Sequence, residues 1–132
     1  MIVVDTSALI AILRAEREAP RIAETLGHAD RRLMSAGTLL EAAIVTMHKD
    51  DEHSRLQSLM SAAQIEVVAL SEADARAGAE AFRRYGRGSG HRAKLNFGDC
   101  FAYALARTRG LPLLFKGDDF IHTDVEPALK PG

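Results

Sequence analysis

The sequence predicts an α/β fold in which helices cover both faces of a central parallel sheet, a three-layer α/β/α sandwich. Short apolar runs alternate with longer amphipathic segments along the chain, and no two apolar runs are joined by a hairpin. Strands that alternate with helices pair through right-handed crossovers, which gives a parallel sheet covered on both sides. The 132 residues, 47% of them hydrophobic, suit one domain over residues 1–132.

The predicted strands are short, and the first is a continuous apolar run, as expected for a strand buried on both faces. They cover residues 2–4, 32–35, 65–70 and 111–115. Between the first two strands, the spacing predicts helices over residues 8–13 and 19–26. Pro20 suits the first turn of the second of these helices, and Gly27 is expected to end it.

The next helix is predicted over residues 38–48 and is apolar almost all round, with Glu41 as the exception. A more polar helix follows over residues 50–63. The segment Ser71–Asp74 resembles a capping box and predicts the start of a helix over residues 72–85.

The last predicted helix begins after Asn96, a good N-cap, and ends at Gly110. Asp99 lies in its first turn, where a carboxylate can accept backbone N–H groups. The glycine-rich stretch over residues 86–90 predicts a flexible loop before this helix. Cys100, the single cysteine, is expected to be a small buried residue.

Acidic residues fall where the predicted strands end. Asp5 directly follows the first strand, and Asp118 and Asp119 follow the fourth. Ligands of open parallel sheets bind outside the carboxyl ends of the strands. Glu41 lies about one turn into the helix that leaves this edge, and Asp99 begins the helix that leads to the fourth strand. The sequence therefore predicts one site formed by Asp5, Glu41, Asp99, Asp118 and Asp119.

Carboxylates held together repel one another, so they bind a cation or retain protons. Oxygen ligands suit Mg²⁺ or Mn²⁺, which can activate water and neutralise a scissile phosphate. Structural alternatives exist for each residue. Asp5 and Asp99 can cap helices, and the Asp118-Asp119 pair can form a turn. Glu41 needs a partner on its apolar helix, either a metal or an arginine.

A basic interval precedes the last helix. It contains no acidic residue between Glu80 and Asp99. It is either a solvated helix end and loop, or a phosphate-contacting arm beside the acidic cleft. Because the formal net charge is −1, affinity for a polyanion must come from such a patch or from metal ions. The candidates for nucleic-acid contact are Arg84, Arg87, Arg92 and Lys94.

Four segments, in order, resemble the motifs of PIN-domain ribonucleases, in the form found in VapC-type toxins of bacterial toxin–antitoxin pairs. They are residues 2–8, 35–41, 95–106 and 113–124. The resemblance covers the whole chain, and the ordered set is far more specific than its first motif alone. It implies a PIN-like α/β/α fold and RNA cleavage that depends on Mg²⁺ or Mn²⁺.

Carried over to this sequence, the resemblance makes Asp5, Glu41 and Asp99 the metal-site carboxylates. Thr6 is expected to support the site by hydrogen bonding, and Asn96 by capping the helix of Asp99. The resemblance also implies a toxin homodimer and a cognate antitoxin protein that fills the acidic cleft, often with an arginine.

The fourth carboxylate is left open. Many PIN domains have an Asp three residues before the closing Phe, and Gly117 occupies that position here. Either Asp118 or Asp119 must substitute, or the fourth carboxylate matters less. Asp119 is slightly favoured as the metal ligand, and both are retained as candidate catalytic residues.

The resulting hypothesis is a single-domain endoribonuclease toxin. A phosphoryl-transfer domain that uses Asp5 is one alternative, although Ser7 stands where such phosphatases have their second Asp. A non-catalytic module that retains the fold is another. Residues 1–4 lack the features of a signal peptide, and no run is long enough to span a membrane. The expected location is therefore the cytoplasm.

Overall fold

The computed structural model describes residues 1–130. Within these residues the chain forms four strands and six helices. The strands are β1 (Ile2–Val4), β2 (Arg32–Ser35), β3 (Ile65–Val68) and β4 (Leu113–Leu114). The helices are α1 (Thr6–Leu13), α2 (Ala19–His28), α3 (Ala36–Thr46), α4 (Glu52–Ala62), α5 (Glu72–Tyr85) and α6 (Phe97–Arg109).

The strands form one parallel sheet in the order β3-β2-β1-β4. Side chains of β1 alternate between two cores, since Val3 packs with α5 and α6 residues and Val4 packs with α1, α2 and α4 residues. The predicted α/β fold with helices on both faces is therefore confirmed. Because β1 and β4 are neighbours and parallel, their carboxyl ends meet, and the Asp5 N–H donates to the Leu114 carbonyl (3.0 Å).

Local capping signals fixed the helix ends that matter most for the site. Both predicted capping boxes are confirmed, at Ser71 with Asp74 and at Asn96 with Asp99. Gly110 ends α6 in the left-handed conformation (φ 64°), where glycine avoids the steric cost of a Cβ. Reciprocal bonds at its N-terminus thus fix where α6 begins and where its first turn faces.

Several sequence predictions need correction. Helix α1 starts at Thr6, two residues earlier than predicted, because the Asp5 side chain caps it by accepting the Ser7 N–H (3.0 Å). Helix α2 continues through Gly27 to His28, because buried Ile22 and Leu26 on its apolar face outweigh one weak helix former. Helix α3 starts at Ala36, two residues early, because the Ser35 side chain caps it by accepting the Gly37 N–H (3.1 Å). The third and fourth strands are shorter than predicted.

The apolar helix α3 exposes much of its surface. Leu40 and Ile44 are each 60% exposed, and Met47 is 52% exposed.

Cys100 is buried as predicted, and burial raises the pKa of its thiol to about 11. Along the described chain, helices are too short or too polar to cross a membrane.

Candidate active site

Asp5 lies at the junction of β1 and α1, where it caps the helix. Its Oδ2 accepts hydrogen bonds from the Ser7 N–H (3.0 Å) and the Ser7 hydroxyl (2.6 Å). The side chain is buried, and its Oδ1 has no hydrogen-bond partner within residues 1–130. Burial raises the pKa of Asp5 to about 6; the bonds from Ser7 oppose this rise, and the nearby Glu41 charge adds to it. A buried carboxylate oxygen is therefore left to bind a cation or a proton.

Ser7 connects Asp5 to the end of the sheet. Its Oγ donates to Asp5 and also accepts the Lys116 N–H (3.0 Å), two residues beyond β4. One hydroxyl therefore joins the segments that follow β1 and β4. The sequence prediction missed this role, although a hydroxyl two residues after a strand-end Asp was visible as a possible partner for it.

Asp99 is held in the first turn of α6 by the capping box. Its Oδ2 accepts the Asn96 N–H (2.9 Å), while its own N–H donates to the Asn96 side chain (2.9 Å). Burial, with the carboxylates of Asp5 and Asp119 as smaller causes, raises the pKa of Asp99 to about 8. Asp99 therefore both caps its helix and shares its surroundings with carboxylates from the ends of β1 and β4.

Glu41 lies in α3 beside the first turns of α1 and α6. The Thr6 hydroxyl donates to Glu41 Oε1 at 2.6 Å. The carboxylate also lies so close to Gly98 that a Cβ at that residue would be 1.7 Å from Glu41 Oε2. Gly98 was not singled out from the sequence, although a glycine in a helical first turn beside a predicted ligand indicates close approach.

The neighbouring aspartates after β4 face different surroundings. Asp119 interacts with the Asp99 carboxyl and lines a cleft that includes Arg87. Asp118 lines a separate cavity beside α2 that includes Arg17. The structure therefore brings Asp119, and not Asp118, to the other carboxylates.

Gly117, which precedes this pair, has φ of +104°, a conformation that a residue with a side chain rarely adopts. An Asp at this position would be strained. The chain therefore has a backbone reason to present its carboxylate after residue 117 and not at it.

The predicted basic residues divide into two groups. Three of them line an open cleft of about 780 Å³ together with His91 and Asp119; they are Arg87, Arg92 and Lys94. We call this the basic cleft. Arg84 lies outside it, over the ring of Tyr85 (5.0 Å).

The loop that carries the basic cleft is closed at its base. The Arg87 N–H donates to the Leu95 carbonyl, and the Leu95 N–H donates to the Tyr85 carbonyl, both at 2.9 Å. His91 packs edge-on against Tyr85, with ring centroids 4.8 Å apart. These contacts attach the loop, which the sequence predicted to be flexible, to the end of α5. Its side chains line the same cleft as Asp119.

The donor set fits a hard divalent cation. Asp5, Asp99, Asp119 and Glu41 supply only carboxylate oxygens, and a buried oxygen of Asp5 lacks a partner within residues 1–130. Over the same residues, no three His, Cys, Asp or Glu side chains are close enough together to enclose a metal ion. Binding would therefore require the carboxylates to move inward, which a cation favours by removing their mutual repulsion.

The sequence matches the family model described as PIN domain over residues 2–126. It is 50% identical to Ribonuclease VapC28 of Mycobacterium tuberculosis over 129 residues, covering 96% of this chain and 97% of the relative. It is 46% identical to Ribonuclease VapC42 of the same species over 128 residues, covering 96% of this chain and 98% of the relative.

A solved structure shares the fold. It is a member of the VapBC family of toxin–antitoxin systems, VapBC-5 from Mycobacterium tuberculosis, with a TM-score of 0.63 and 27% identity. The match covers 97% of this chain and 94% of that one. The carboxylates at the strand ends and the four ordered motifs are consistent with this similarity, which extends over nearly the full chain. The chain therefore belongs to the PIN-domain family and, within it, to the VapC ribonucleases of toxin–antitoxin systems.

Proposed function

We propose that this protein is a Mg²⁺- or Mn²⁺-dependent endoribonuclease whose metal is held by Asp5, Asp99, Glu41 and Asp119. The observation that carries the proposal is the buried Asp5 Oδ1, which lacks a partner within residues 1–130, while its carboxylate acts on Asp99 and Asp99 is also close to Asp119. A site that brings carboxylates together without a cationic side chain to compensate them is typical of a cation-binding site.

Each side chain has a distinct role in this proposal. Asp5 and Asp99 bind the metal most directly, because they are the most buried of the set. Ser7 orients Asp5, and Thr6 orients Glu41. Asp119 completes the shell or orients the attacking water. When bound, the metal supplies a nucleophilic water at neutral pH and neutralises charge on the scissile phosphate.

RNA is expected to approach from the basic cleft. Arg87, Arg92 and Lys94 can each contact a phosphate, since they line the same cleft as Asp119. Arg84 has less support as an RNA ligand, because it lines another cavity, between α5 and α6.

A cognate antitoxin is the expected protein partner. The proposal is supported by VapBC-5, a toxin–antitoxin system of the same fold. An antitoxin arginine in the acidic cleft would neutralise the carboxylates as a metal does. A homodimer is also proposed, supported by the exposed apolar side chains of α3 and by Phe97, which is 76% exposed. Since the proposed substrate is RNA, the cytoplasm remains the predicted location.

The test is RNA cleavage by purified protein with Mn²⁺, with EDTA as the control. Asp5→Asn and Asp99→Asn should each abolish cleavage while leaving the fold intact by circular dichroism. Unchanged cleavage by both variants would exclude the mechanism. A stable aspartyl phosphate, seen as an 80-dalton mass increase after treatment with a phosphodonor, would favour the phosphoryl-transfer alternative.

The non-catalytic alternative makes a different prediction. A genuine site should gain thermal stability when Mn²⁺ is added, because the metal binds the folded state alone. Protein that shows neither cleavage nor metal-dependent stabilisation would be a binding module that retains the fold.

A further inference from the structure

A cavity of about 550 Å³ is lined by Asp118, the neighbour of the residue Asp119 that lines the basic cleft. We call it the α2 cavity. Its rim carries the cationic side chains of Arg17, Arg21, Lys116 and Lys130. Glu18 and Asp118 are the acidic residues of its lining, so cations are in excess. The charge of this rim favours an anionic ligand.

Ser7 connects Lys116, which lines the α2 cavity, to Asp5 of the acidic site. The Lys116 N–H donates to Ser7 Oγ (3.0 Å), and the same hydroxyl donates to Asp5 Oδ2 (2.6 Å). On the other side, Asp119 lines the basic cleft while its neighbour Asp118 lines the α2 cavity. Two cavities with clustered cations are therefore each joined to the acidic site, one through Lys116 and Ser7 and the other through Asp119.

The cationic side chains of the rim differ in how much of their charge nearby carboxylates compensate. The Lys116 ammonium is 3.4 Å from a Glu16 oxygen and 3.9 Å from a Glu18 oxygen, so part of its charge is already compensated. Within residues 1–130, neither Arg17 nor Arg21 forms an ion pair with a carboxylate, and Arg21 donates to the Lys130 carbonyl (3.3 Å). Arg17 and Arg21 are therefore the residues that would contribute most to binding an anion.

The floor of the α2 cavity is apolar and is formed by Ile22, Phe115, Ile121 and Leu129. A cationic rim over an apolar floor suits a nucleotide, since the rim can contact the phosphate and the floor can contact the base or ribose. A simple inorganic anion would make no use of the floor.

We infer that the α2 cavity is a second RNA subsite, so that the substrate strand crosses the acidic site with phosphates bound on both sides. This inference rests on the proposed function, because it assumes that RNA is the substrate of the carboxylate site. It assigns Arg17 and Arg21 a role in substrate binding that is separate from the basic cleft. A strand long enough to reach both surfaces should bind more tightly than one that reaches a single surface.

The test compares fluorescein-labelled single-stranded RNAs of 6 and 20 nucleotides by fluorescence anisotropy, over a range of salt concentrations. All proteins carry Asp99→Asn to prevent hydrolysis. The test variant adds Arg17→Ala and Arg21→Ala. The matched control adds Arg31→Ala and Arg76→Ala, which remove the same charge from exposed arginines outside both surfaces. Melting temperatures check that every variant is folded.

The test variant should bind the 20-nucleotide RNA roughly ten-fold more weakly, and its slope of log K against log salt should fall by about 1.4 for two lost phosphate contacts on a single strand. Its affinity for the 6-nucleotide RNA should change far less. Equal affinity of the test and control variants for the long RNA would overturn the inference.

Separate outcomes distinguish this inference from the proposed function. If the unmodified protein and its Arg17→Ala/Arg21→Ala variant cleave RNA with Mn²⁺ equally well, only the second subsite is wrong. If the unmodified protein cleaves no RNA, the proposed function is wrong as well. If RNA binding is unchanged and the variant instead loses affinity for the antitoxin, the cavity docks a protein and the inference is overturned.

Discussion

The Glu41 carboxylate packs directly against the backbone of Gly98, since a Cβ at residue 98 would come within 1.7 Å of Glu41 Oε2. The residue next to Asp99 therefore sets the position of a carboxylate from another helix. Thr6 fixes the other oxygen of Glu41. A small backbone on α6 and a hydroxyl on α1 together hold Glu41 at the site.

Gly98→Ala should displace Glu41 and reduce RNA cleavage by roughly 10–100-fold, the range seen when groups that orient metal ligands are lost. The overlap involves the far end of a flexible side chain, so the melting temperature should change little. Cleavage rate against Mn²⁺ concentration measures the effect, which should include a higher Mn²⁺ requirement.

Gly27→Ala is the matched control, because nothing lies within 4 Å of the added Cβ and the residue is inside α2. It should leave cleavage unchanged and stabilise the protein by about 0.5–1 kcal/mol. If Gly98→Ala is as active as Gly27→Ala, then Glu41 has no role in catalysis.

Local signals in the sequence were sufficient to predict where α5 and α6 begin. The boxes formed by Ser71 with Asp74 and by Asn96 with Asp99 involve residues three apart, so they can be predicted without tertiary structure. Gly27 was wrongly predicted to end α2, because its low helix propensity costs less than the packing of the apolar helix face contributes. That packing depends on tertiary contacts, which local sequence patterns do not describe.

The parts of the site that the sequence left open depend on backbone geometry. Asp118 and Asp119 are adjacent, and only the turn made possible by the positive φ of Gly117 determines which one reaches Asp99. Arg84 and Arg87 are separated by only two residues, yet they line different cavities because α5 ends between them. Such distinctions require three-dimensional coordinates.

Asp119→Asn should reduce cleavage at least ten-fold, because it removes a carboxylate whose charge acts on Asp99 and raises its pKa. Asp118→Asn should retain the turnover number of the unmodified protein, because its side chain faces the α2 cavity. Initial rates at saturating Mn²⁺ compare the two variants directly. The opposite ranking would make Asp118 the fourth carboxylate.

Ser7→Ala should weaken metal binding by roughly 10–100-fold, because Asp5 Oδ2 loses the hydroxyl donor that orients it. It should also cost about 1 kcal/mol of stability, since the Lys116 N–H loses its acceptor. Isothermal titration with Mn²⁺ separates these effects. Ser7→Thr keeps the hydroxyl and should restore most of the affinity; equal losses in both variants would indicate a packing role.

Ile44→Glu should convert the proposed homodimer to a monomer, because it puts a charge in the exposed apolar surface of α3. Sedimentation velocity measures the change. Gln57→Glu on α4 adds the same charge to an exposed polar position and is the control. A dimer that survives Ile44→Glu must use another face of the molecule.

The metal-free protein should lose stability as pH rises from about 4 to about 8. The folded-state pKa values of Asp5 (about 6) and Asp99 (about 8) both lie above the usual value near 4. The folded state therefore holds protons that the unfolded chain has released, and unfolding becomes progressively more favourable across this range. Added Mg²⁺ should oppose the loss by stabilising the ionised carboxylates.

Asp99→Asn tests this assignment, since an amide cannot ionise but can still accept the Asn96 N–H. In EDTA, the variant should melt several degrees above the unmodified protein at pH 8, and the difference should shrink towards pH 4. Asp118→Asn, at an exposed position, should follow the unmodified protein throughout. Parallel stability curves for Asp99→Asn and the unmodified protein would mean that the buried carboxyl does not take up its proton on folding, and the charge repulsion argued for the site would be wrong.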